Sequence, residues 1–134
     1  MIPLPTSVHR HLYVANATVL LAHQIDAAYW EEWTLFRLPG GVQLFVLLNV
    51  PIILAVLVGA ERLASPAGRR ISALLAASGL FAAVFHSAHL LAGDEAFRTP
   101  VSLVLLGLTA VLSPLQLLAL RSTRPAPVTT PRTG

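Results

Sequence analysis

The sequence predicts an all-α integral membrane bundle of four transmembrane helices, and three observations carry that expectation. Of 134 residues, 55% are hydrophobic and 11% charged, too little polar surface to wrap a soluble domain of this size. The polar residues gather between long apolar runs instead of alternating within them, as in a chain whose solvent is lipid. There are four such runs, at about residues 12–30, 42–60, 71–91 and 101–120. Each is close to the roughly 20 residues that a bilayer helix needs.

Met1 to Arg10, with Pro3 and Pro5, reads as a short irregular lead. The first span follows from Leu12 to Trp30, and its aromatic end reaches Trp33. Arg10 and the apolar stretch Leu12 to Ala22 make a passable signal-peptide pattern. His23 and Asp26 continue the helix with no small-residue cleavage site, so the run reads as a retained span. Pro39-Gly40-Gly41 breaks the chain before the second span. Ser65-Pro66 and Gly68-Arg69-Arg70 separate the second span from the third. Thr99-Pro100 has the form of an N-cap followed by proline at the first helical position, opening the fourth span. Pro51 and Pro114 fall inside spans two and four and are expected to kink them. Residues 1–120 thus form a single four-helix domain. Residues 121–134, rich in Pro, Thr and Arg, read as a disordered cytoplasmic tail.

All nine basic residues are arginine. Arg10, the trio Arg62, Arg69 and Arg70, and the tail arginines Arg121, Arg124 and Arg132 outnumber Arg37 and Arg98 in the other two connections. The positive-inside rule then places both termini and the middle loop in the cytoplasm, N-in and C-in. The arginines are scattered at the ends of apolar runs, which argues for headgroup contact and against a nucleic-acid face. The absence of cysteine excludes disulfides, thiolate catalysis and thiolate metal ligands.

Ionisable groups inside a membrane span are costly and mark a candidate site. His23 and Asp26, three residues apart, share a face in the outer half of span one. His86 and His89 do the same in span three, and the expected topology puts the two pairs at similar depth. Three imidazoles and a carboxylate suit zinc or non-haem iron. Glu31, Glu32 and Asp94 would support them as acceptors for ring N–H groups. Gly79, Ala82 and Ala83, below His86, are small enough to admit another helix. An open coordination position would give Lewis-acid or metal-hydroxide chemistry on a lipid or small molecule. The plainer reading is a wet vestibule in which the histidines bond to Asp26, Ser87 or water. Tyr29, Trp30 and Trp33 read as an interfacial aromatic belt, Glu31 and Glu32 as a solvated helix end, and Asp94 and Glu95 as a solvated loop.

The stretch His23-x-x-Asp26-Ala27-Ala28-Tyr29-Trp30-x-Glu32-Trp33-x-x-Phe36-x-Leu38-Pro39-Gly40-Gly41 resembles the signature of the DUF6713 family of small bacterial membrane proteins. Phe97-Arg98-Thr99-Pro100-Val101-Ser102, followed by an apolar run to Ser113 and Gln116, resembles it too. The likeness covers roughly Leu21 to Leu118. It implies a short, multi-spanning fold without an assigned biochemical activity, and it favours His23, Asp26, Glu32 and His86 as site positions. Where the family pattern often has Glu after the first histidine and His in span two, this chain has Gln24 and Asn49. A metal role resting on those two positions is weakened accordingly.

Three functions from different classes fit these residues. The first is a metal-binding protein, acting as hydrolase or oxidase at the outer leaflet. The second is a proton- or cation-coupled transporter that works as a homodimer through Asp26, with Gly107 and Thr109 offering a small-residue dimer face. The third is a structural or accessory subunit whose polar cluster holds the bundle together.

Overall fold

The interior holds polar side chains beside apolar ones, while many large apolar side chains lie on the outside. The computed structural model describes residues 7–122. The expected irregular lead before Ser7 and disordered tail beyond Ser122 lie outside the described residues. Five helices follow one another: α1 (Ser7–Tyr29), α2 (Glu32–Leu35), α3 (Gly41–Glu61), α4 (Pro66–Ala92) and α5 (Pro100–Ser122). Helix replaces the expected lead from Ser7 onward, because His9 is buried against α4 with its Nε2 at 2.9 Å from Ser72 Oγ.

Three helices, α3, α4 and α5, are long and apolar enough to cross a membrane. Among the described residues the expected fourth span, α1, does not clearly reach that measure. That helix has 23 residues, but His9, Arg10 and His11 at one end, Asn16 within and His23 to Asp26 near the other dilute its apolar content. Val46, Leu47, Val50, Leu54, Leu74, Val84, Val104 and Val111 all lie exposed on the outer surface. A contiguous apolar face of this kind suits a lipid bilayer. Pro51 and Pro114 sit within uninterrupted helices.

The inward faces repeat every seven residues, the spacing that keeps one stripe of a helix against its neighbours. On α1 the buried stripe is His9, Tyr13, Asn16, Leu20, His23 and Ala27. On α5 it is Ser102, Leu106, Thr109, Ser113, Gln116 and Leu120. On α4 it includes Ser72, Leu75, Gly79 and His86. Each stripe thus carries polar side chains, and several of them meet across the bundle. Asn16 Nδ2 donates to Gln116 Oε1 at 2.7 Å, and Ser113 Oγ donates to Asn16 Oδ1 at 3.3 Å. Gln116 Nε2 donates to the Ser72 carbonyl at 2.9 Å and to its hydroxyl at 3.0 Å. In hydrocarbon such groups have no water to fall back on, so each must find its partner within the protein.

Helix α5 packs closely on both α1 and α4, whereas α3 rests on α4 and more lightly on α1. Two glycines make the close approaches. A Cβ on Gly79 would collide with Ser113, and one on Gly59 would collide with Tyr13 and Ile71. Tyr13 also ties α1 to α3 by donating its hydroxyl to the Val56 carbonyl at 2.7 Å. Helix α3 buries only Val56 and Gly59. It meets Tyr13 and Ile71 near its C-terminal end and packs on Trp33 of α2 through Phe45 near its N-terminal end.

Candidate functional site

At the end of the bundle away from Ser7 and Ser122, the heptad stripes of α1 and α4 bring two buried histidines together. His23 Nε2 lies 3.2 Å from His86 Nε2, with the rings edge to face at 76°. The third member of the cluster arrives by a chain reversal. Helix α1 stops at Tyr29, and Glu31 adopts the left-handed conformation (φ 51°, ψ 45°), which turns the single turn of α2 back over the bundle. Non-glycine residues are uncommon in that region, which makes the turn a costly and specific feature. Its consequence is that Glu32 is buried and places Oε1 at 3.1 Å from His86 Nε2. One ligating atom from each of His23, Glu32 and His86 lies within 4.8 Å of the other two.

Phe97 covers the cluster. It is buried, its ring centroid lies 4.1 Å from that of His86 and 5.8 Å from that of His23, and its φ is 63°. Left-handed strain at a bulky residue persists only where the surroundings hold it. Here the packing of Phe97 against both imidazoles and against Trp30 does so.

The other expected residues fall elsewhere. Three residues is about 300° of helical rotation, so Asp26 lies about 60° around α1 from His23. That turn points Asp26 toward α5, where Ser102 Oγ donates to Oδ1 at 2.9 Å. Trp30 Nε1 donates to the same hydroxyl at 3.2 Å, and Thr99 caps α5 by accepting from the Ser102 N–H at 3.2 Å. His89 is turned from His86 by the same rotation, packs on Phe85 and forms an ion pair with Asp94. The structure thus brings together His23 and His86 from the expected four ligands and adds Glu32, while Asp26 and His89 bond to separate partners. Glu31 is exposed at the turn, Tyr29 is 74% exposed, and Trp33 packs on Phe45.

Two chemistries fit three converging lone-pair atoms. Only one proton can lie between the facing nitrogens, so a proton on His86 Nε2 would have to serve both His23 and Glu32. Alternatively, a divalent cation would accept from all three, using two nitrogens and one oxygen, a ligand set suited to zinc or non-haem iron. Nδ1 of His23 and Nδ1 of His86 are buried without a hydrogen-bond partner among the described residues. Both rings therefore have only the cluster and the surrounding packing to orient them.

The cluster opens onto a cavity of about 420 Å³ between α1, α3 and α4. Its walls are mainly Leu, Ile, Val and Phe, with Gln24, Asn49 and Ser78 as further polar lining. Sequence reasoning missed this cavity and the covering role of Phe97. The Phe97-Arg98-Thr99-Pro100 block drew attention to the segment, but no periodicity announces a left-handed residue. Gln24 was not among the expected site residues. It lines the cavity beside His23.

No curated protein and no solved structure matches the chain. A family model described as a family of unknown function, DUF6713, matches residues 9–123, and the chain belongs to that family.

Proposed function

Starting from membership of a family of unknown function, we propose that this is a metal-binding integral membrane protein. His23, His86 and Glu32 would hold one zinc or iron ion, with a remaining coordination position facing the cavity. The observation that carries this reading is the convergence of three ligating atoms within 4.8 Å in a buried setting. A metal there would act as a Lewis acid or would supply a hydroxide to a bound molecule. In the same proposal α1 is the fourth span. Its polar stripe is turned onto α4 and α5, while Val14 and Ile25 face outward. The arginine distribution supports N-in and C-in, with the cluster near the outer face, and the resemblance to small bacterial membrane proteins suggests a bacterial inner membrane.

Elemental mass spectrometry of the purified protein tests the proposal against a His23→Ala/His86→Ala variant. About one zinc or iron per chain, lost in a folded variant, is the expected result. Metal-free protein from metal-replete cells would overturn it.

A second reading rests on Asp26, whose Oδ2 is buried and has no hydrogen-bond partner among the described residues. It makes Asp26 the titrating group of a small cation-coupled transporter. Proton flux in vesicles, abolished by Asp26→Asn, tests it.

A further inference from the structure

We propose that the cavity between α1, α3 and α4 is a lateral binding site for one acyl chain taken from the bilayer. The chain's carbonyl or carboxylate head would reach the His23/Glu32/His86 cluster. The head contact rests on the metal reading above, whereas the chain contact stands independently.

The shape of the cavity follows from how α3 is mounted. Gly59 lets α3 touch Tyr13 and Ile71 at one end. Toward the other end α3 packs on α2 through Phe45 and Trp33, with Glu32, Phe36 and Leu38 closing the cavity there, so a slot runs along α3 between these two contacts. Along α4 the lining runs from Ile71 to His86, and along α3 from Phe45 to Val56. At the helical rise per residue these stretches are about 22 Å and about 16 Å long. One leaflet of a bilayer core is about 15 Å deep, so the slot has the length of one lipid chain. Its volume of about 420 Å³ lies within the ordinary range for a small-molecule site.

The polarity has a direction. His86 is the last lining residue on α4, and Glu32 and His23 join it there, whereas Val56, Ile71 and Leu75 form an apolar far end. A ligand that matches this gradient has one polar end and a long hydrocarbon body. Ligands bearing an oxygen donor complete a site of two imidazoles and one carboxylate.

The mouth identifies the source. Leu48 and Ile52 on α3 and Leu74 and Phe81 on α4 line the cavity and are also exposed, between 45% and 67%. Both helices are apolar enough to cross a membrane. The opening therefore faces hydrocarbon, and a lipid can slide in sideways without crossing water. A water-soluble ligand would have to traverse that apolar rim.

The test uses full-length protein in phospholipid vesicles, zinc-loaded or treated with chelator. Two probes carry a diazirine near the methyl end: palmitic acid and its monoacylglycerol. After irradiation, peptide mass spectrometry locates the label. We expect it on Val56, Ile71 and Leu75 and not on the outward-facing Val46, Val84 and Val104. Filling the slot with Ala82→Trp, or from the opposite wall with Ala55→Trp, reduces the labelling about tenfold or more, a loss of at least about 1.4 kcal/mol in affinity. Two variants on separate helices guard against misfolding of either one.

Zinc strengthens the labelling if the head reaches the cluster. Retention of the acid alone identifies a carboxylate head, and retention of both probes identifies a carbonyl shared with esters. Even labelling of outward and inward residues, unchanged by both tryptophan variants, would overturn the chain site. Strong labelling of the far end with no zinc dependence, in protein that binds no metal, would overturn the head contact and the metal reading while leaving the chain site supported.

Discussion

His23 and His86 face each other across the bundle with Nε2 atoms 3.2 Å apart, although 63 residues separate them in the chain. Two heptad stripes, one on α1 and one on α4, are sufficient to bring them together. The left-handed turn at Glu31 then adds a carboxylate that neither stripe contains.

Adjacent glutamates should therefore behave in opposite ways. Glu32→Gln removes a charged ligand atom and is expected to weaken zinc binding by at least about tenfold, equivalent to 1.4 kcal/mol. Glu31→Gly leaves zinc binding unchanged and relieves the left-handed strain, raising stability by about 1 kcal/mol. Zinc titration and thermal melting in detergent distinguish the two. Equal loss of zinc in both variants would contradict the placement of Glu32.

The Asn16–Gln116 pair offers a test of the polar core. Asn16→Ala strands the Gln116 carbonyl oxygen in an apolar interior, at a cost of about 1–2 kcal/mol or less. Replacing both residues with Leu removes donor and acceptor together. The double variant is expected to lose less stability than the sum of the single changes. Additive losses in a double-mutant cycle would show that the two residues are not coupled.

Two glycines make a matched comparison. Gly79→Val drives a side chain into Ser113 and should separate α4 from α5, seen as loss of monodisperse protein in detergent. Gly107→Val meets nothing within 4 Å and is expected to be neutral. Thr109 is buried within the chain and 3.1 Å from a Cβ placed on Gly79. It is therefore unavailable for the dimer face expected of Gly107 and Thr109 together. A destabilised Gly107→Val protein would reveal a contact on the outer surface of α5.

Metal binding should also fall with acidification. Imidazole nitrogen ligates a metal only when unprotonated, so protons compete with the ion for His23 and His86. Zinc affinity is expected to drop steadily as the pH is lowered below neutrality, by up to two protons per ion. The metal content of dialysed protein as a function of pH measures this directly. A flat profile down to acidic pH would exclude two histidine ligands.

The long helices were legible because their signal is local. Apolar runs of span length, Pro39-Gly40-Gly41 as a break and Thr99-Pro100 as a start all act within one helical turn, whereas α4 already begins at Pro66 and takes in Gly68-Arg69-Arg70, which read as part of the break. The pairing of His23 with His86 was legible as well, since both lie near the same end of neighbouring helices. What escaped depends on rotation and on distant packing. A 60° turn around α1 sends Asp26 to Ser102 instead of to His86, and side chains three apart on one broad face need not meet the same neighbour. Glu32 reads in the sequence as a solvated helix end. It becomes buried only through the conformation of Glu31, which is held by the packing of α2 on the bundle. The slot beneath the cluster depends on where α3 is pinned, through Gly59, and no pattern within α3 states that.

The most direct measurement is X-ray absorption at the zinc edge on zinc-loaded protein, beside the His23→Ala variant. The expected spectrum has nitrogen and oxygen ligands at about 2.0–2.1 Å and the outer-shell scattering of two imidazoles, falling to one in the variant. Zinc bound with no imidazole scattering, or with two imidazoles persisting in His23→Ala, would contradict a site built on His23, Glu32 and His86.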